Sequence, residues 1–180
     1  MDLSLKGKKA VVCGSTQGIG KAIAMELSLL GADCILLARN EDRLKEAVSS
    51  LDSKQGQQHQ YAVADFQQPE QVKAVITALA GANTIHILIN NTGGPAPGLI
   101  QLAGADQFLN AFQQHIINNQ QLVQAVLPGM KQAGFGRIIN VISTSVKMPI
   151  PNLGVSNTMR AATAGWAKTL SLEVAADGIT

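Results

Sequence analysis

The chain has 180 residues, 46% of them hydrophobic and only 3% aromatic, with a formal net charge of +2. That length fits one domain, residues 1–180, able to bury roughly 70% of its unfolded surface. So small a charge argues against a nucleic-acid or membrane surface as the main partner. The two cysteines, Cys13 and Cys34, fall at expected buried strand positions and read as small core residues, not as a disulfide. His59, His86 and His115 are scattered, so no metal site is expected. The start, Met1 to Lys6, lacks a signal-like apolar run, and no window approaches 18 apolar residues; a soluble, cytoplasmic protein is expected.

In chain order, Val11-Val12-Cys13 is a first strand that runs into Gly14-Ser15-Thr16-Gln17-Gly18-Ile19-Gly20. Helical periodicity follows at once, with Ile19, Ile23, Leu27 and Leu30 predicted on one face. A strand turning sharply into a helix points backbone N–H groups and the positive helix end at one spot, which suits a phosphate. Gly14 supplies the tight turn, Gly18 admits the backbone to a pyrophosphate, and Gly20 lets helix and strand lie close. The plain alternative is a structural strand–helix turn.

Asp33 to Ala38 is a second buried strand, closing on Arg39 and not on a carboxylate. An acid near there binds the ribose 2′-hydroxyl of NAD, whereas an arginine accommodates the 2′-phosphate of NADP. Arg39 therefore favours NADP over NAD; its bland reading is a solvated turn residue. Asn40 caps a helix from Glu41 to about Ser53, and the Gln/Gly-rich stretch after it is a loop. A third strand from Gln60 ends at Asp65 and Phe66, and a third helix starts near Pro69. Ile85 to Ile89 form a fourth strand closing on Asn90-Asn91-Thr92-Gly93. One long helix is predicted from about Ala105 to Lys131, with Phe108, Phe112, Ile116, Val123 and Leu127 on its inner face. Arg137 to Ile142 make a fifth strand with Ser143 at its end, and a last helix runs from about Leu153 to Ala176.

Strands alternating with helices at this spacing predict an α/β fold, a Rossmann-type doubly wound parallel sheet with helices on both faces. In such sheets ligands bind outside the carboxyl ends of the strands. The glycine loop, Arg39, Asp65, Asn90 and Ser143 all fall there. That agreement points to a dinucleotide site.

Together these motifs resemble the short-chain dehydrogenase/reductase family over essentially the whole chain. Gly14 to Gly20 is similar to its glycine loop, with Cys13 where threonine is usual. Asp65 looks like the acid that contacts adenine, and Asn90-Asn91-Thr92-Gly93 resembles its Asn-Asn-Ala-Gly segment. Gly136-Arg137-Ile138-Ile139-Asn140 with Ser143 looks like the strand that carries the catalytic serine. Among relatives, the look is that of bacterial 3-oxoacyl-acyl-carrier-protein reductases. The resemblance implies a tyrosine acid–base, a lysine four residues later that holds the ribose, and an asparagine that anchors a relay water. Those positions here hold Ser156, Arg160 and His115, so of four catalytic positions only Ser143 is matched. The only tyrosine, Tyr61, sits on the third strand.

An alkyl hydroxyl is a far weaker acid than a phenol; Arg160 keeps its charge and is expected to hold the cofactor's ribose or a phosphate, without reproducing an ammonium. A positioned acid–base group contributes about 10²- to 10⁴-fold. His115 has two readings, a packed helix histidine or a proton relay acting through water or Ser143. Family members continue past residue 180 into a sixth and a seventh strand, so a truncated fold with the fifth strand at an open edge is expected. Two functions follow. One is an NADP-dependent oxidoreductase of a carbonyl or 3-oxoacyl substrate; the other is a catalytically impaired dinucleotide-binding protein. In relatives the long helices form the oligomer interface, and small residues such as Ala161, Ala162, Ala164 and Gly165 suit a homodimer or homotetramer.

Overall fold

The structure is a computed structural model and describes residues 3–180. Five strands, β1 (Lys9–Cys13), β2 (Asp33–Ala38), β3 (Gln60–Val63), β4 (Ile87–Asn90) and β5 (Arg137–Asn140), form one parallel sheet in the order β3-β2-β1-β4-β5. The helices are α1 (Gly18–Leu29), α2 (Glu41–Ser49), α3 (Pro69–Ala82), α4 (Ala105–Phe112), α5 (Asn118–Ala133) and α6 (Gly154–Val174). The order reverses between β1 and β4, and this is the Rossmann-type doubly wound arrangement expected from the sequence.

Side chains alternate across the sheet, so β1 feeds two cores. Ala10 and Val12 pack with Ala24 of α1 and with Leu44 and Ala47 of α2. Val11 and Cys13 face the other way, toward Val72 and Ile76 of α3, Leu122 and Val126 of α5, and Val174 of α6. Burial pushes both cysteine thiols up to about 12, so they are inert packing groups. The Asn40 side chain accepts from the Arg43 N–H at 2.9 Å and starts α2 as predicted, and Pro69 opens α3.

Three expectations are corrected. In α1 the buried residues are Gly20, Ala24 and Ser28, whereas Ile19 is 60% exposed. Only small residues fit where helix and sheet lie closest; Ile23 and Leu27 still pack against the core beside them, whereas Ile19 and Leu30 turn outward. Second, α2 ends at Ser49, several residues before the predicted limit. Third, the long helix is interrupted by a π-turn at Gln113–Ile117 between α4 and α5. The extra residue in that turn rotates the inner face. Phe112 is left 42% exposed, while Ala111, His115, Asn118, Leu122 and Val126 point inward; of the predicted face, Val123 is buried and Phe108 and Leu127 pack against the core.

At the sheet margin, Ile139 of β5 is 50% exposed, and Gly136 pairs in parallel with Ile179 on the outer side. Among the described residues, no helix is long and apolar enough to cross a membrane.

Candidate dinucleotide site

A cleft of about 500 Å³ opens at the carboxyl ends of β1, β2, β3 and β4, where the strand order reverses. Gly14, Thr16, Gln17, Gly18, Ile19, Arg39, Asp65, Phe66, Asn91, Thr92 and Gly93 line it, which gathers most of the predicted cofactor residues in one place. Ser15 and Gly20 stand behind the wall instead. Ser15 is fully buried with its hydroxyl 3.4 Å from the Leu37 carbonyl. Gly20 is buried because a Cβ there would overlap the Gly14 carbonyl and the Asn91 amide.

The cleft fits an anionic dinucleotide. Gln17 at the start of α1 makes no side-chain cap, and the first turn holds no acidic residue. The first amides of the helix therefore face the cleft with no capping group, at the positive end of the dipole. Gly18 has φ +55° and nothing within 4 Å of a would-be Cβ, so any side chain there would fill the space left for a ligand. Arg39 marks the end of β2 on the cleft rim and forms no ion pair with the described residues. A second cation, Arg43, escaped the sequence reading. Its guanidinium reaches the Gln17 side chain at 3.4 Å, and its spacing of four from Arg39 across the Asn40 cap is the signal that was available.

The remaining predicted residues, Ser143, Ser156, Arg160 and His115, do not line the cleft; Ser143 follows β5, Ser156 and Arg160 are on α6, and His115 is in the π-turn. The Ser143 hydroxyl oxygen accepts from the Ser145 N–H at 3.0 Å, which fixes its direction and leaves its own proton to donate. Ser156 is half-buried on α6, and its hydroxyl makes no hydrogen bond with described residues. One turn further, the Arg160 guanidinium donates to the Val141 carbonyl at 2.8 Å. A Cβ built on Gly94 would lie 3.5 Å from its other terminal nitrogen.

His115, in the π-turn, is 2% exposed, and its Nε2 has no partner. Burial, helped by the Arg160 charge, pushes its pKa down to about 4. His115 is therefore neutral near pH 7, and any proton passing through it moves by tautomer exchange and not from an imidazolium. His86 has a structural role: its Nδ1 accepts from the Lys9 N–H at 3.1 Å.

A doubly wound sheet with a glycine loop, an uncapped helix start and a cleft at the switch point defines a dinucleotide-binding α/β protein. The chain belongs to the short-chain dehydrogenase family, whose sequence profile matches residues 8–180. It is 36% identical over 178 residues to the 3-oxoacyl-[acyl-carrier-protein] reductase FabG of Haemophilus influenzae, covering 98% of this chain and 72% of that protein. It is 31% identical over 175 residues to the human inactive hydroxysteroid dehydrogenase-like protein 1, covering 96% of this chain and 53% of the relative. The chain thus spans about half the length of several relatives it matches. The structure superposes on L-sorbose reductase of Gluconobacter frateurii, solved with NADPH and L-sorbose. The TM-score is 0.93 at 34% identity, covering 99% of this chain and 68% of that one.

Proposed function

We propose that this chain is the dinucleotide-binding unit, residues 1–180, of an NADP-linked oxidoreductase acting on a carbonyl/alcohol pair, with a 3-oxoacyl compound as the favoured substrate. The observation that carries the reading is Arg39, a cation at the β2 end of a cleft with no acid in the position that would select NAD. The NADPH and NADP named with similar solved structures, and the 3-oxoacyl reductase among the relatives, support it.

The residues divide the work along the rim. The α1 amides and Gly18 hold the diphosphate, Asp65 and Phe66 border the adenine end, and Arg39 with Arg43 meets the 2′-phosphate. Asn91, Thr92 and Gly93 border the nicotinamide end. When bound, the cofactor supplies the hydride. Ser143 donates its proton to the carbonyl oxygen as a hydrogen bond and so polarises the carbon. Ser156 occupies the acid–base position with a weak acid, so proton delivery falls to water or to a neutral relay through His115. Slow turnover follows.

A second reading, a catalytically impaired dinucleotide-binding protein, is favoured by one observation: a serine and an arginine stand where the family chemistry uses tyrosine and lysine. The human relative named as inactive agrees with it. NADPH consumption with an acetoacetyl substrate separates the two. Turnover above the no-enzyme rate that depends on Ser143 supports the reductase; NADPH binding with no turnover supports the second reading. For assembly, we read the exposed Leu109 and Phe112 of α4 and the small residues Ala161, Ala162 and Gly165 of α6 as the face of a homodimer or homotetramer. Packing on the chain's own sheet does not use them.

A further inference from the structure

The β5 end of the rim holds a cation without a counter-charge. Arg160 is partly buried, and burial pulls its pKa down. Among the described residues no carboxylate pairs with it: the ion pairs are Lys45–Glu41, Lys54–Asp52 and Lys131–Asp177. One hydrogen bond, to the Val141 carbonyl, uses one of the five guanidinium N–H groups. The Arg160 charge helps hold the nearby His115 neutral near pH 7, so that ring offers nothing to balance the cation. Two more buried polar atoms have no partner: His115 Nε2, near enough to feel the Arg160 charge, and the hydroxyl of Ser145, two residues on from Ser143. A half-buried charge with idle donors beside orphaned polar atoms is an arrangement that an anion completes.

The cofactor does not supply that anion. Arg39 follows β2 and Arg160 is bonded to the residue after β5, three strand spacings apart, or about 14 Å across the sheet. A 2′-phosphate at Arg39 is out of reach. The diphosphate belongs to the α1 amides, after β1. The nicotinamide ribose, which the family's lysine holds from this position, brings only neutral hydroxyls, so it can engage the guanidinium but adds no negative charge. Gly94 opens the route, since it lines both the main cleft and an adjoining cavity of about 250 Å³, and its missing side chain leaves Arg160 reachable.

We propose that the substrate of this site is an oxo acid, whose carboxylate is bound by the Arg160 guanidinium while Ser143 takes the carbonyl oxygen. This rests on the reading of the cleft as a dinucleotide site. It narrows the substrate class to carbonyl compounds with a free carboxylate near the reacting carbon, which within the 3-oxoacyl class means the free 3-oxo acid and not its ester or thioester. Arginine in place of lysine then becomes a specificity change, because a planar fork binds a carboxylate through two parallel hydrogen bonds and an ammonium does not.

The test is a calorimetric titration of the NADPH-loaded protein with acetoacetate, its neutral methyl ester, pyruvate and sodium sulfate. Wild type, Arg160→Gln and Arg160→Lys are compared. One oxo acid is expected to bind about ten- to hundredfold tighter than the ester. That ratio should fall to near one in Arg160→Gln and to an intermediate value in Arg160→Lys. Because the readout is a ratio, a general weakening in either variant leaves it interpretable. Equal affinity for acid and ester in wild type overturns the proposal. So does a preference that survives Arg160→Gln, or sulfate binding as tightly as either oxo acid, which marks a general anion site. NADPH binding without the preference overturns only this inference. Failure of NADPH to bind removes the cofactor reading and this inference with it.

Discussion

The side-chain amide of Asn91 donates to the carbonyls of Cys13 and Gly14 at 3.2 and 3.1 Å, tying the end of β4 to the glycine turn after β1. The contact is tight from both sides: a Cβ on Gly14 would lie 2.6 Å from the Asn91 carbonyl oxygen. Asn91 therefore braces the cofactor loop as well as lining the cleft. Asn91→Ala leaves two carbonyls without their donor and is expected to destabilise the fold by about 1–3 kcal/mol. NADPH affinity should fall with it, because the loop loses its fixed shape. Urea unfolding and a parallel NADPH titration measure both; a variant as stable as wild type would show the brace to be unimportant.

Ile19 gives a prediction with opposite signs. It is exposed in the cleft at the start of α1, where negative charge interacts favourably with the helix end. Ile19→Asp should leave the fold unchanged or more stable by about 0.3–1 kcal/mol while repelling the diphosphate. Thermal melting without cofactor should hold or rise, and the stabilisation that NADPH gives wild type should disappear. Unchanged NADPH stabilisation would mean that the helix start is not the phosphate site.

His115 makes stability depend on pH. Its folded pKa, about 4, lies below the unfolded value of 6.5, so between these values the unfolded chain binds more protons. Stability is therefore intact above about pH 6.5 and is lost as pH falls toward 4, by about 3 kcal/mol in all. His86, also lowered by burial, adds a slope of the same sign, so the variant comparison isolates His115. In His115→Gln the difference in urea midpoint between pH 7 and pH 4.5 should shrink. An identical difference in both proteins would place the His115 ring in water.

Restoring the acid tests the missing chemistry. Ser156 and Arg160 lie one turn apart on α6, so Ser156→Tyr combined with Arg160→Lys returns a phenol and an ammonium to a shared face. Carbonyl reduction should rise by about 10²- to 10⁴-fold over wild type. No gain, with NADPH still bound, would place the defect elsewhere in the site.

The strands and the cleft were legible because they rest on local patterns. Buried parallel strands read as apolar runs, and a glycine turn between strand and helix places the phosphate site without tertiary knowledge. Arg39 and Asp65 came out of the same logic, since each follows a strand, whereas Asn91 came from the resemblance of the Asn90-Asn91-Thr92-Gly93 segment. What was hidden depends on packing distance. Ile19 and Leu30 fitted a helical stripe but are exposed, because α1 lies too close to the sheet to bury a large side chain. Phe112 was placed inward because nothing in the residues announced the π-turn that rotates α4 against α5. Arg43 was missed since its reach to Gln17 joins two elements far apart in sequence. The neutral state of His115 follows from burial and from Arg160, two turns of logic that only the folded chain supplies.

Whether Arg39 builds the cleft for NADP is decided by titrating the wild-type protein and Arg39→Asp with NADPH and with NADH. Wild type should bind NADPH at least about tenfold tighter than NADH, and Arg39→Asp should abolish or invert that preference. Equal affinities in wild type, or no binding of either dinucleotide, would contradict the account.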